Sequence, residues 1–338
     1  MKAWLLDRYG KGQSLRMGEL PDPVPGPYDV LVRVHTAGLN PLDLKLRDGA
    51  FKPILPYKPP LILGHDLAGE VVAVGAEVAG WQIGDRVMAR VRDGRIGTLA
   101  ELIAVDAADL ALMPVGLTMA EAASLPLVSL TAWQVLVELG QIGPGTKVLI
   151  HAGTGGVGSM AIQLAKHLGA HVATTASARN ADLLRDLGAD QVIDYRTEDF
   201  ASMLSGYDLV LCSLEGEVLT KSVGVLKPGG KLISISGPPT PEFAKVAGLN
   251  PILGLIFRLI SRGIRRRAKA AGVSYHFHFM RADGGQLSQI ARLVAAGGLR
   301  PVLDRTFPFA ETNDALAYLE TGRAKGKVVV TMSANSKE

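Results

Sequence analysis

The chain has 338 residues, 48% of them hydrophobic and 20% charged, with a net charge of +4. That length and composition fit a globular protein with two cores, and the mild, dispersed charge gives no footing for a nucleic-acid-binding function. A single cysteine, Cys212, rules out an internal disulfide and a four-cysteine zinc lobe.

Residues 1–124 are rich in glycine and proline and carry short β-type runs at 31–35, 67–75 and 85–91. Such strands between turn residues predict a compact β-rich domain. From residue 125 the pattern changes to strands alternating with helices. Strands are predicted at 146–152, 170–175, 191–194, 207–212 and 231–236, with helices at 156–168 and 181–187. This alternation predicts a parallel sheet covered on both faces, the Rossmann doubly wound α/β arrangement. A helical, partly basic insertion follows at 243–272, then a strand at 273–280, an amphipathic helix at 287–296 and a closing strand at 327–331. The expected division is 1–124 with 281–338 for the β-rich domain and 125–280 for the Rossmann domain. The last six residues are expected to fray. Cys212, in a buried strand, reads as a structural thiol.

Gly153-Thr154-Gly155-Gly156-Val157-Gly158 spells G-x-G-x-x-G between a predicted strand and a predicted helix. In that setting the first glycine permits a tight turn, the second lets a pyrophosphate approach the backbone, and the third lets helix and strand pack closely. The helix N-terminus then offers free N–H groups and a positive dipole to the phosphates. One strand later an NAD site carries an acid for the ribose hydroxyls. Here no acid precedes Asp182. Ser177 and Asn180 can hydrogen-bond a 2′-phosphate and Arg179 can pair with it, which predicts NADPH as the cofactor. The alternative is a solvated loop whose arginine points away.

Together with segments 37–45, 63–72, 151–158, 187–195, 299–304 and 323–327, these residues resemble the medium-chain dehydrogenase/reductase superfamily. The similarity is greatest to its zinc-independent quinone oxidoreductase branch, with the enone-reductase and reticulon-interacting-protein-like members. It covers nearly the whole chain and implies a GroES-like fold for the β-rich domain. By this resemblance Thr154, Gly156 and Val157 contact the pyrophosphate, and Ser177, Arg179 and Tyr195 lie at the adenosine phosphate end. Tyr195 equally fits a half-buried strand-end tyrosine. Phe279, Met280, Ala324 and Lys325 are placed along the cofactor, and Gly326 and Lys327 are either there or structural.

The zinc branch holds its metal with Cys, His and Cys or Glu. At those positions this chain has Asn40, the pair His65 and Asp66, and Leu127 or a neighbour. Two retained donors do not close a site, so no metal is expected. Without a Lewis acid, a conjugated acceptor suits the site better than an alcohol. Asn40 and Lys45, which the resemblance sets beside the nicotinamide, are the candidate catalytic donors; Lys45 also reads as a solvated lysine. Asp43 is expected to hold the loop. The expectation is an NADPH-dependent oxidoreductase that reduces a small-molecule quinone or enone without zinc. A zinc-type alcohol dehydrogenase and a non-catalytic NADPH-binding sensor are the alternatives.

The insertion at 249–264 reads as a lid or packing face, with a membrane-surface helix as the rival. The basic run Arg262, Arg265, Arg266, Arg267 and Lys269 reads as a solvated helix face. The N-terminal segment lacks an apolar signal stretch, and the apolar run at 246–260 is interrupted by Arg258 and shorter than the ~20 residues of a spanning helix. A soluble, cytoplasmic protein is expected, with no membrane or nucleic-acid partner. The strand at 274–280 resembles the edge through which family members dimerise, so a homodimer is expected.

Overall fold

The chain opens with β1 (Lys2–Leu6) and β2 (Arg16–Glu19), then the long β3 (Asp29–Leu39), α1 (Pro41–Arg47) and β4 (Leu61–Ile62). β1 pairs antiparallel with both β2 and β4. Next come β5 (Asp66–Val74), β6 (Arg86–Arg90), β7 (Leu102–Asp106) and β8 (Leu110–Leu112). β3 pairs antiparallel with β5 and β7, and β5 continues to β6 and β8. Val30, Val32 and Val34 of β3 are buried, and Arg33 between them is exposed. Such alternation is the mark of a sheet with one face on a core. Those valines join Leu67, Val71, Val87 and Leu99 in the core of this part. The computed structural model describes residues 1–332; the tail 333–338, expected to fray, lies outside the described residues.

Two short helices, α2 (Met119–Ala123) and α3 (Pro126–Trp133), lead on, and a π-helical turn at Gln134–Leu139 extends α3. Thr118 caps α2 in a reciprocal box with Glu121. The chain then alternates strictly. The strands are β9 (Lys147–Ile150), β10 (His171–Ala176), β11 (Gln191–Asp194), β12 (Tyr207–Cys212), β13 (Leu226–Ser234) and β14 (Ser274–Phe277). Between them lie α4 (Gly156–His167), α5 (Ala181–Asp186), α6 (Phe200–Met203) and α7 (Glu217–Val225), and, in the insertion, α8 (Pro241–Val246), α9 (Pro251–Ile260) and α10 (Arg262–Ala270). The six strands are parallel in the order β11-β10-β9-β12-β13-β14. This is the doubly wound order of a Rossmann sheet, with its reversal between β9 and β12. Val148, Leu149 and Ile150 are consecutive and fully buried, as expected where helices cover both faces.

The last elements are α11 (Gly284–Ala295), β15 (Leu303–Pro308), α12 (Thr312–Glu320) and β16 (Lys327–Thr331). β16 pairs parallel with β15 and antiparallel with β3, so the end of the chain completes the first sheet. Contacts divide the chain into two compact units, 1–130 with 281 onward, and Thr131–Met280.

Candidate functional site

In the unit Thr131–Met280 the glycine loop leaves the carboxyl end of β9 and enters α4. Its three motif glycines meet different surroundings. A Cβ on Gly153 would lie 2.2 Å from Thr174 Oγ1, and one on Gly158 would lie 2.4 Å from the Ala152 carbonyl. Those two serve packing. A Cβ on Gly155 would meet only the Ala152 carbonyl, at 3.4 Å. Packing therefore does not require glycine at 155, and the bare backbone there leaves room for a ligand to approach. Gly155 is also the N-cap of α4, and no side chain caps that end. A twelve-residue helix with an open N-terminus and a bare glycine lip suits a pyrophosphate, so a dinucleotide fits these residues.

The carboxyl ends of β10, β11 and β14 carry the other expected cofactor residues of this unit. Ser177 and Asn180 follow β10, are nearly buried, and join through Asn180 Nδ2 donating to Ser177 Oγ at 3.1 Å. Arg179 between them is exposed and makes no hydrogen bond or ion pair among the described residues. Tyr195 follows β11, 61% exposed, and its N–H donates to the Ala176 carbonyl at the end of β10. Phe279 and Met280 follow β14; Phe279 packs on Phe243, with ring centroids 5.8 Å apart, and Met280 is buried. β14 ends at Phe277 rather than at residue 280. The His278 N–H still reaches the Ser234 carbonyl at the end of β13.

Two polar groups in this unit are structural. His151 is buried, with Nδ1 3.0 Å from Thr175 Oγ1 and Nε2 2.9 Å from Ser222 Oγ. Burial pushes its imidazole down to about 4, which keeps it neutral near pH 7. Cys212 is fully buried, its Sγ donates to the Leu214 carbonyl, and burial pushes the thiol up to about 11. A thiol so placed is inert.

In the other unit Asn40, Asp43, His65, Asp66 and Lys327 form one buried polar cluster. Gly64 sets the position of His65: its φ is +103°, and a Cβ there would collide with Thr98 Oγ1 at 2.2 Å. Asn40 is the N-cap of α1, and its backbone N–H donates to Asp43 Oδ2. Asp43 Oδ1 lies 2.7 Å from His65 Nδ1, and His65 Nε2 is buried without a hydrogen-bond partner among the described residues, with Asp93 Oδ1 4.0 Å away. Asp66 Oδ2 accepts from Asn40 Nδ2 and Lys327 Nζ, both at 2.9 Å, and Asp66 Oδ1 accepts from the Leu127 N–H. Lys327 Nζ also donates to Asn40 Oδ1 and the Leu39 carbonyl. The Asn40 amide is thus committed on both atoms to internal partners. Lys45 stands exposed on α1, while Ala324 and Lys325 lie in the turn between α12 and β16.

This donor set does not fit zinc. His65 Nε2 is the one uncommitted donor, held in the manner of a ligating imidazole by Asp43. Both Asp66 oxygens are taken, one of them by an ammonium, so the charge a metal would supply is already present as Lys327. Asn40 and Leu127 offer no thiolate. Of the two readings the sequence leaves for Lys327, beside the cofactor or structural, its buried partners Leu39, Asn40 and Asp66 favour the structural one, and no local pattern signals them.

Two family models match the chain: "Alcohol dehydrogenase GroES-like domain" over residues 26–115 and "Zinc-binding dehydrogenase" over 187–330. The mitochondrial NAD(P)H oxidoreductase RTN4IP1 of Danio rerio is 35% identical over 100% of this chain and 93% of its own. The chloroplastic NADPH-dependent alkenal/one oxidoreductase of Arabidopsis thaliana is 36% identical over 98% of this chain and 79% of its own. Among solved structures, the quinone oxidoreductase from Coxiella burnetii superposes with a TM-score of 0.86 at 33% identity, covering 98% of this chain and 99% of that one.

Proposed function

The chain belongs to the medium-chain dehydrogenase/reductase superfamily, in its quinone oxidoreductase branch, and on that premise we propose that it is an NADPH-dependent reductase of quinones or α,β-unsaturated carbonyls. The observation that carries the reading is the end of β10, where Ser177, Arg179 and Asn180 stand and no acid precedes Asp182. A carboxylate there would repel a 2′-phosphate; a free guanidinium attracts one.

In this reading the N–H groups of Thr154, Gly156 and Val157 bind the pyrophosphate, with Gly153, Gly155 and Gly158 shaping the loop. Ser177, Arg179, Asn180 and Tyr195 hold the adenosine end. Phe279, Met280, Ala324 and Lys325 line the cofactor. When bound, NADPH supplies a hydride to the β-carbon of an enone or to a quinone, and a solvent proton completes the two-electron reduction. The developing negative charge falls on the acceptor oxygen, and Lys45 is the candidate donor to it. Asn40, with its amide engaged, acts as a positioning residue for Asp66 and Lys327.

The homodimer belongs to the same reading, since β14 ends the sheet order and an edge strand can pair with a second copy. So does a cytoplasmic location; the one cysteine is buried and suits a reducing compartment. No helix among the described residues is long and apolar enough to cross a membrane.

The test is oxidation of NADPH and NADH, offered separately with simple quinones, enones and alkenals. Faster oxidation of NADPH with one of these acceptors is expected. Preference for NADH would overturn the role given to Arg179. Tight NADPH binding without turnover on any acceptor would replace the enzyme with a cofactor-binding sensor.

A further inference from the structure

Helix α9 is amphipathic the wrong way round for a core helix. Phe257, Ser261, Ile264 and Ala268 recur at helical spacing through α9 and α10 and face inward. Phe257 stacks on Phe243, which also meets Phe277 edge-on, so the insertion is anchored to β14. Ile252, Leu255, Ile256, Leu259 and Ile260 follow an i, i+3, i+4, i+7, i+8 spacing on the other side. They are between 44% and 67% exposed. Single exposed apolar residues need no explanation, but five on one helical stripe do.

Charge gathers beside that stripe. Residues 243–282 contain eight Lys or Arg and no Asp or Glu, so the rest of the chain is net acidic. Arg258, Arg262, Arg265, Arg266 and Lys269 line an open groove of about 880 Å³ together with Leu255 and Leu259. Of these cations, Arg265 is drawn to Glu242 at 3.4 Å.

We propose that α9 and α10 dock this protein on the surface of an anionic phospholipid bilayer, the α9 stripe entering the headgroup boundary and the arginine groove holding lipid phosphates. An apolar stripe beside a basic face is the composition that binds such an interface, because burial of apolar area and attraction to anionic lipid act together. A second copy of the chain is the less favoured occupant, since its equivalent surface carries the same positive charge. The inference departs from the expected lid and the expected lack of a membrane partner, and it does not rest on the proposed reductase activity.

The experiment is co-sedimentation of the full chain with vesicles of phosphatidylcholine alone or with 30% phosphatidylglycerol. Binding to the anionic vesicles only, weakened at least tenfold in molar salt, is expected. Ile256→Asn with Leu259→Asn, and separately Arg262→Glu with Arg266→Glu, should each lower the partition coefficient at least tenfold. Circular dichroism and the rate of NADPH oxidation with a soluble quinone should stay at wild-type values in both variants, and loss of that rate in the wild type itself would bear on the activity alone. No binding to anionic vesicles, or equal binding by the variants, would overturn the proposal. So would a wild-type dimer that the α9 variant converts to monomer while vesicle binding is absent.

Discussion

Lys327 Nζ lies 2.9 Å from Asp66 Oδ2, with both side chains buried and the two residues 261 positions apart in sequence. The ammonium completes its shell on Asn40 and the Leu39 carbonyl, so Asp66 and Lys327 offset each other's charge, and His65 Nε2 is left without a hydrogen-bond partner among the described residues. Buried charges persist when they are paired in this way.

Removing one partner strands the other. Lys327→Met is expected to lower the unfolding free energy by about 3–5 kcal/mol. Adding Asp66→Asn removes the stranded charge and keeps an oxygen for the Leu127 N–H, so the double variant should recover half the loss or more. Urea melts check this; additive losses would show that the two charges are not coupled.

The glycine loop separates packing from binding. Gly158→Ala forces a Cβ against the Ala152 carbonyl and should destabilise the protein by about 1–3 kcal/mol. Gly155→Ala has room in the fold and should leave the melting temperature unchanged while weakening NADPH binding about tenfold or more. Calorimetric melts beside cofactor titrations distinguish the two outcomes.

Arg179 is exposed and free to take a phosphate. Arg179→Ala should raise the Kd for NADPH about tenfold, the size of one charge-assisted hydrogen bond, and leave NADH unchanged. Equal weakening for both cofactors would place Arg179 away from the 2′-phosphate.

His151 predicts a pH dependence of stability. Its folded pKa is about 4 against an ordinary 6.5, so the unfolded chain takes up the proton first as pH falls. The stabilisation is complete above about pH 6.5 and is lost as pH drops towards 4, some ~3 kcal/mol from this group. Denaturant melts between pH 4 and 7.5 should show that slope, and His151→Gln should flatten it.

The parallel sheet was legible because its signals are local. Segments 191–194 and 207–212 are strands with the predicted ends, and the glycine motif sits at the predicted turn. Helix α11 starts at Gly284, three residues before the predicted 287, because Asp283 caps it by accepting from the Gln286 N–H; the two glycines hid the start. β13 begins at Leu226 rather than at 231, with Pro228, Gly229 and Gly230 inside its span, which read as a break. The β1, β2 and β4 sheet and the return of β15 and β16 depend on distant pairings that no local pattern encodes. The site divides in the same way. The cofactor loop was readable, whereas the partners of Lys327 and the outward stripe of α9 depend on the tertiary fold, since spacing alone does not say which side of a helix meets the core.

The central claim is metal-free hydride transfer from NADPH to a conjugated acceptor. Its most direct test uses chelator-treated protein, NADPH deuterated at the transferring position of C4, and an enone and a quinone as acceptors. The account predicts a saturated ketone carrying one deuterium at the β-carbon, or one hydroquinone for each NADPH consumed. An allylic alcohol with the label on the former carbonyl carbon, or no NADPH consumption with either acceptor, would contradict it.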